Sequence, residues 1–239
     1  MRAALAATLA SLLVAACQPA PQSDSAFDAK VRAYLMAHPK DLRAALQNMQ
    51  TSEEAADDAQ ARAALPALRA ALEHDPRDFA ANPNGKVTVT EFYDYRCPHC
   101  INIAPQVVAL VRSRPDVRFV FKEMPIFGST SEHAARAALA AKAQGKDYVG
   151  LYQAMMSTKG LDDAAIDRIA AANGVDVAAM NAPATVARDR TQFDDIGKLA
   201  TRLSIDGTPG FVVGDTIIKG EDYEGLAAAI AAAEKAKKA

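Results

Sequence analysis

The sequence predicts an α/β fold: a strand–helix–strand unit followed by a block of helices, a two-stranded hairpin and a closing helix. Three observations carry this prediction. Val87–Tyr93 and Val117–Glu123 alternate as strands do, Gly214-Asp215 has the composition of a hairpin turn, and the long stretches between have helical hydrophobic spacing. With 239 residues, half of them hydrophobic, the chain can bury one sizeable core.

The charge balance argues against a nucleic-acid partner. The chain carries 27 basic and 29 acidic side chains. A nucleic-acid-binding protein would need a basic excess on one face, and none is visible in the sequence.

The first residues differ from the rest and predict a signal peptide over residues 1–16. Arg2 is the only charge in this stretch, and the apolar run that follows is too short to span a bilayer as a mature helix. The run ends at Val14-Ala15-Ala16-Cys17, which resembles the lipobox of bacterial lipoproteins. That resemblance implies lipidation of Cys17, a lipid anchor in a membrane and residence in the bacterial periplasm. The alternative is ordinary cleavage that leaves Cys17 as a spare thiol.

A flexible tether over residues 17–26 should then lead into an N-terminal helical arm over residues 27–74. Apolar residues recur at helical spacing in two successive stretches, and Pro39 begins the second stretch. Pro66 marks a break or a new first turn. The arm's apolar stripe requires a partner surface, either the rest of the chain or a second copy that binds through residues 27–72. The stripe comprises Phe27, Val31, Tyr34, Leu35, Leu42, Leu46 and Met49.

The main domain is predicted over residues 85–239. Its first strand should form a right-handed parallel crossover with the second, through a helix that Pro105 is expected to kink. Ser129-Thr130-Ser131-Glu132 has the pattern of a capping box, and it opens a helical insertion over about residues 129–203.

The chemistry is predicted at Cys97-Pro98-His99-Cys100, where a strand ends and a helix begins. A helix N-terminus stabilises the thiolate, which is the reactive form of cysteine. Cys97 in the first turn should be the attacking, partly exposed thiol, and Cys100 should be more buried and resolve the mixed disulfide. Pro98 suits the first turn, where no N–H is needed. His99 can stabilise the Cys97 thiolate, which would make the disulfide a stronger oxidant.

Two other interpretations of the cysteine pair are weaker. A structural disulfide two residues apart would close almost no loop and would stabilise little. A zinc site would need at least two further ligands, whereas the sequence holds no second cysteine pair. We therefore expect no resident metal ion at these cysteines.

Two further elements complete the predicted site. Gly207-Thr208-Pro209-Gly210 precedes a strand and suits a cis peptide facing the cysteines, whose preceding backbone could pair with an extended substrate. Glu91 shares strand parity with Val87 and Val89, so it should point inward beneath the dithiol. There it could take the proton from Cys100. The alternative for Glu91 is a half-buried ion pair with Lys122.

The order of elements resembles the thioredoxin fold, and the motif with its helical insertion and Thr208-Pro209 resembles the DsbA family of periplasmic thiol–disulfide oxidoreductases. The resemblance covers about residues 85–238 and includes Glu91 at the family's buried-acid position. It implies disulfide exchange with the cysteines of exported proteins, a membrane redox partner and no dissociable cofactor. It implies that Cys97 is the nucleophile and Pro209 the cis-proline.

Two departures leave the direction of exchange open. Thr208 stands where DsbA itself has valine, and DsbA lacks the arm. The arm, with Val31-Arg32-Ala33-Tyr34-Leu35, looks like that of the suppressor-of-copper-sensitivity C subfamily, whose members oligomerise through it. The main expectation is an exported oxidoreductase that assists oxidative folding. The alternatives are an oligomeric isomerase or reductase, or a copper(I)-binding protein that uses Cys97 and Cys100 as soft ligands.

Overall fold

The computed structural model describes residues 25–237, which fall into two compact units divided between Glu54 and Ala55. The described part of the first unit contains α1 (Ser25–Ala37) and the beginning of α2 (Pro39–Glu73). Proline is tolerated at a helix start because no N–H is needed there, so α2 begins at Pro39 as predicted. At this junction the rings of Tyr34 and His38 stack with centroids 4.1 Å apart.

The second unit holds the end of α2 and the remaining elements, and it confirms the predicted α/β class with a thioredoxin-like arrangement. Five helices lie between the strand Val117–Glu123 and the predicted hairpin. The elements are β1 (Phe79–Ala81), β2 (Val87–Tyr93), α3 (Pro98–Ser113), β3 (Val117–Glu123), α4 (Ser129–Ala143), α5 (Tyr148–Ser157), α6 (Asp163–Ala172), α7 (Val177–Met180), α8 (Pro183–Arg202), β4 (Gly210–Val213), β5 (Thr216–Lys219) and α9 (Tyr223–Ala236).

The five-stranded sheet has the order β1-β3-β2-β4-β5. β2 and β3 pair in parallel through α3, as predicted, and β4 pairs antiparallel with β2 and with β5. β1 was not predicted, because its three residues lie between two loop signals. It pairs antiparallel with β3, with Phe79 opposite Phe121, and forms an edge of the sheet.

The sheet is covered on both faces. Val89 and Phe121 point to the face packed by α3, α5 and α9. Phe92 points to the opposite face, where Leu65 and Leu72 of α2 pack together with α8. Both leucines are fully buried, and burial of a leucine contributes roughly 1.5–3 kcal/mol. The end of α2 is therefore part of the core of the second unit.

Two local predictions were wrong. α2 continues through Pro66, where a break was expected; Leu65 and Leu68 on either side of the proline are both buried in the core. α4 starts without the predicted capping box. Its N-cap is Gly128 with φ of 89°, and the Ser131 hydroxyl donates instead to Asp94, 2.9 Å away. α3 also runs through Pro105.

Candidate active site

The cysteine pair lies at the start of α3, directly after β2. Cys97 is the N-cap residue with extended backbone angles, and Pro98 occupies the first helical position. The Ile101 N–H donates to the Cys97 carbonyl at 3.0 Å, which closes the first turn and brings Cys100 beneath Cys97. Both cysteines are free thiols. They lie at the N-terminal end of α3, where the helix dipole favours a negative charge.

The loop before β4 covers the first cysteine. The Thr208–Pro209 peptide bond is cis, the isomer that the sequence analysis expects. The Cys97 Sγ lies 3.0 Å from the Thr208 carbonyl oxygen, to which the thiol donates. Cys97 is only 2% exposed, so the expectation of a partly exposed thiol was wrong. The reason is the close approach of Thr208.

The two thiols differ strongly in acidity. Donation by the Cys100 thiol lowers the pKa of Cys97 to about 5, and the backbone N–H groups of Cys100 and His99 lower it further. Burial raises the pKa of Cys100 far above its usual range, and the hydrogen bond to Cys97 adds to this effect. Cys97 is therefore a thiolate at neutral pH and donates to the Thr208 carbonyl only in its protonated form, while Cys100 holds its proton.

The His99 side chain, expected to stabilise the Cys97 thiolate, contacts an acid from a distant part of the chain. Its Nδ1 lies 3.1 Å from Oε1 of Glu221, in the loop between β5 and α9. This hydrogen bond lowers the pKa of the Glu221 carboxyl, and a second hydrogen bond from the Asn102 amide does so too. Sequence reasoning did not identify Glu221, which lies far from the cysteine motif along the chain.

Glu91 lies inward beneath the dithiol, as its strand parity predicts, and is 1% exposed. The Tyr152 hydroxyl donates to its Oε1 at 3.2 Å, while its Oε2 has no partner among the described residues. Burial raises the pKa of Glu91 to about 8. A carboxyl that is neutral near pH 7 and close to Cys100 can exchange a proton with it.

The alternative ion pair between Glu91 and Lys122 is ruled out by the register of the sheet. Glu91 is paired with Phe121 and Phe92 with Lys122, so the carboxylate and the ammonium point to opposite faces. Lys122 instead donates to Asp78, just before β1, and both side chains are buried. This pairing could not be predicted without β1.

A second buried acid, Glu123, lies on the same face of the sheet as Glu91. The hydroxyls of Tyr148 and Tyr93 donate to its Oε1, and Tyr93 is 2.7 Å from the Tyr148 hydroxyl and 2.9 Å from that of Tyr95. Burial raises the pKa of Glu123 to about 8. The alternation of Glu91 with Tyr93, and of Phe121 with Glu123, was the signal in the sequence that could have revealed this cluster.

Asp94 links the start of the site to the loop after β3. Its buried carboxylate accepts hydrogen bonds from the backbone N–H groups of Arg96, Ile126 and Phe127 at 2.7–3.1 Å, and from the Ser131 hydroxyl. The Asp94 carboxylate therefore fixes the segment before Cys97 and the start of α4 relative to each other. Sequence reasoning missed this residue.

Other predicted features can be compared only within residues 25–237. There no three histidine, cysteine or acidic side chains come together to hold a metal ion. None of the helices described is long and apolar enough to cross a membrane. The predicted lipidation site Cys17 lies outside the described residues.

Comparisons with known proteins agree with this geometry. The model of the thioredoxin family matches residues 79–232. The thiol:disulfide interchange protein DsbA of Bordetella pertussis is 32% identical over 152 residues, which are 59% of this chain and 72% of that protein. A thioredoxin-like oxidoreductase from Silicibacter pomeroyi is 37% identical with a TM-score of 0.61, covering 72% of this chain and 98% of its own. ScsC from Proteus mirabilis, in a transitional conformation, is 28% identical with a TM-score of 0.65, covering 88% and 98%.

Proposed function

This chain belongs to the thioredoxin family, among the DsbA-like thiol–disulfide oxidoreductases, and from that premise we propose that Cys97 and Cys100 are the dithiol with which it exchanges disulfides with exported proteins. The observation that carries the proposal is the position of Cys97. Its sulfur lies at the start of α3 against the Thr208 carbonyl, with a pKa of about 5. A sulfur of this kind is a good leaving group in thiol–disulfide exchange.

In the oxidising direction, a substrate thiolate attacks the Cys97 sulfur of the enzyme disulfide. The bond between Cys97 and Cys100 breaks, a mixed disulfide with Cys97 forms, and Cys100 leaves as a thiolate. A second substrate thiolate then attacks the substrate sulfur of the mixed disulfide, and Cys97 leaves as a thiolate. The substrate loses two electrons and the enzyme gains them, after which a membrane-bound oxidant restores the enzyme disulfide.

Glu91 supplies the proton in this scheme. The departing Cys100 sulfur is buried, and its high pKa requires a proton at once. Glu91 is buried nearby and holds a proton at neutral pH, because burial raises its pKa to about 8. In the reverse direction the ionised form of Glu91, a minority at neutral pH, removes the proton when Cys100 attacks the mixed disulfide.

The surface around the dithiol fits a polypeptide substrate. Ile101, Ile126 and Phe127 are 37%, 46% and 45% exposed, and the Arg96 guanidinium donates to the Phe127 carbonyl at 3.1 Å. Asp94 fixes this loop relative to the segment that precedes Cys97. Unfolded exported chains present apolar side chains that such a surface can hold.

We assign the main direction of exchange as donation of disulfides. The low pKa of Cys97 stabilises the reduced enzyme, which makes the disulfide oxidising. The test combines the reduction potential, from equilibration with glutathione, with two assays: oxidation of reduced ribonuclease and repair of scrambled ribonuclease. A potential near −120 mV with fast oxidation supports this assignment, whereas a potential near −270 mV with efficient repair would establish the isomerase or reductase instead. Cys97→Ser should abolish both activities.

Self-association through residues 27–72 is the second proposal. Leu42, Leu46 and Met49 of α2 are 39%, 47% and 51% exposed, and they recur at helical spacing. The molar mass in solution tests this directly by light scattering. Leu46→Asp should reduce an oligomer to a monomer, while Gln47→Asp, a neighbouring exposed position, should leave it intact. A monomeric wild-type protein would contradict the proposal.

Export with a lipid anchor at Cys17 is the third proposal, and it depends on the lipobox-like sequence. Metabolic labelling with a radioactive fatty acid should mark the wild-type protein and leave the Cys17→Ser variant unlabelled. Labelling of neither protein would favour ordinary cleavage. The copper(I) alternative is decided by titration of the reduced protein: binding no tighter than that of a simple dithiol eliminates it.

A further inference from the structure

Glu221 reaches the active site by a defined route. β4 and β5 form a hairpin in which Gly210 is paired with Lys219. Directly after β5, the Gly220 N–H donates to the Pro209 carbonyl at 2.8 Å, so the loop that carries Glu221 is tied to the cis-proline loop. Gly220 has a φ of 79°, a conformation that glycine adopts without the steric cost of a Cβ.

The other side of Glu221 is fixed by the start of α9. Asp222 is the N-cap of this helix, and its carboxylate accepts from the Gly225 N–H at 2.8 Å. Glu221 is thus held between an anchored glycine and a helix cap. Its backbone position beside the dithiol is set by contacts that do not involve His99.

The Glu221 carboxylate pairs with the His99 imidazole. The distance between Nδ1 and Oε1 is 3.1 Å, and the side chains of His99 and Glu221 are 63% and 39% exposed. The Asn102 amide, one turn after His99 on the same face of α3, also donates to this carboxylate. Two donors on α3 therefore converge on one acid from the loop after β5.

We propose that Glu221 is a positioning residue that pairs with the His99 imidazole and thereby weakens the oxidising power of the dithiol. An imidazolium close to Cys97 would stabilise the thiolate and hence the reduced enzyme. In this protein the ring is paired with the Glu221 carboxylate, which offsets the positive charge of the ring in its protonated form. The inference rests on the proposed role of Cys97 and deepens it, because it names a residue that sets how strongly the pair oxidises.

The size of the effect follows from the exposure of the pair. An exposed pair is screened by solvent, so its removal changes an equilibrium constant by no more than about fivefold. Glu221→Gln should therefore favour the reduced enzyme in its equilibrium with glutathione by about fivefold. For a two-electron couple this corresponds to a rise of about 20 mV in reduction potential.

The experiment measures the glutathione equilibrium constant for five proteins. They are the wild type, Glu221→Gln, Glu224→Gln, His99→Gln and the double variant His99→Gln with Glu221→Gln. Glu224 is exposed in the first turn of α9, so its variant removes the same charge three residues away. We expect a shift of about fivefold for Glu221→Gln, less than twofold for Glu224→Gln, and less than twofold for Glu221→Gln in the His99→Gln background.

Three results would overturn the inference: no rise in potential for Glu221→Gln, the same rise for Glu224→Gln, or an undiminished rise when His99 is absent. The last two would mean that only the loss of negative charge matters. Oxidation of reduced ribonuclease by the wild type is measured in parallel. Its failure would count against the proposed function, whereas the comparison of equilibrium constants decides the role of Glu221 separately.

Discussion

Replacement of Glu91 by glutamine should make the protein more stable at alkaline pH while slowing its chemistry. Glu91 is 1% exposed, and burial raises its pKa from 4.5 to about 8. Between these values the folded protein keeps a proton that the unfolded chain has released. An acid with a raised pKa therefore leaves stability intact below about pH 4.5 and lowers it progressively as the pH rises toward 8.

The magnitude follows from the size of the shift. A rise from 4.5 to about 8 corresponds to at most about 5 kcal/mol of lost stability once the pH exceeds the folded pKa. Glutamine has the same shape and cannot ionise, and its Oε1 can still accept from Tyr152. Glu91→Gln should therefore match the wild type within about 1 kcal/mol at about pH 5 and exceed it by several kcal/mol at about pH 9.

The assay is urea denaturation of the reduced protein at a series of pH values. Glu123 titrates in both proteins, and because its charge helps to raise the pKa of Glu91, the difference between the two curves contains the coupling of the two acids. Glu224→Gln, at an exposed position of α9, serves as a control and should show no such pH dependence. A constant difference between wild type and Glu91→Gln across this pH range would refute a raised pKa at Glu91.

The same variant has a kinetic consequence. If Glu91 takes the proton from Cys100, resolution of the mixed disulfide should slow by about 100-fold or more in Glu91→Gln. Quenched-flow measurement of the mixed disulfide's lifetime checks this. An unchanged lifetime would leave Glu91 with no part in the proton transfer.

Three further predictions concern single groups. The ultraviolet absorbance of the reduced protein should reveal a thiolate that titrates with a midpoint near pH 5, and Cys97→Ser should remove this absorbance. Because the pKa of this thiol is lowered in the folded protein, the reduced form should lose stability as the pH falls through that midpoint. Thr208→Val should move the midpoint of the thiolate absorbance to higher pH, because a hydrogen bond from the Thr208 side chain is one of the causes that lower the pKa of Cys97. Lys122→Met should lower the free energy of unfolding by about 3–5 kcal/mol because it leaves the buried Asp78 carboxylate with the Gln192 amide but without its cation, and adding Asp78→Asn should recover most of that loss.

Sequence patterns predicted those parts of the fold that depend on residues close to one another in the chain. The alternation in Val87–Tyr93 placed Glu91 on the inner face, and the parallel crossover through α3 followed from the order of elements. The cysteine motif at a strand–helix junction identified the N-terminus of α3. These features depend on neighbours within a few residues, which one sequence displays directly.

Features that depend on distant contacts were missed. β1 is short and exists because β3 offers an edge, and the Asp78–Lys122 pair depends on it. Glu221 meets His99 only after the β4–β5 hairpin has folded back. The burial of Cys97 depends on the Thr208 carbonyl in the same way. No spacing within the motif could have revealed these contacts.

The buried tyrosine cluster contributes an ultraviolet signal that stays constant while Cys97 titrates. The chain has no tryptophan and six tyrosines, so its near-ultraviolet emission comes from tyrosine alone. Burial raises the pKa values of Tyr93, Tyr95, Tyr148 and Tyr152 well above 10.0, so these rings stay un-ionised while Cys97 titrates. The Cys97 thiolate, which exists only in the reduced protein, can therefore be followed by the ultraviolet absorbance of the native chain, without a label.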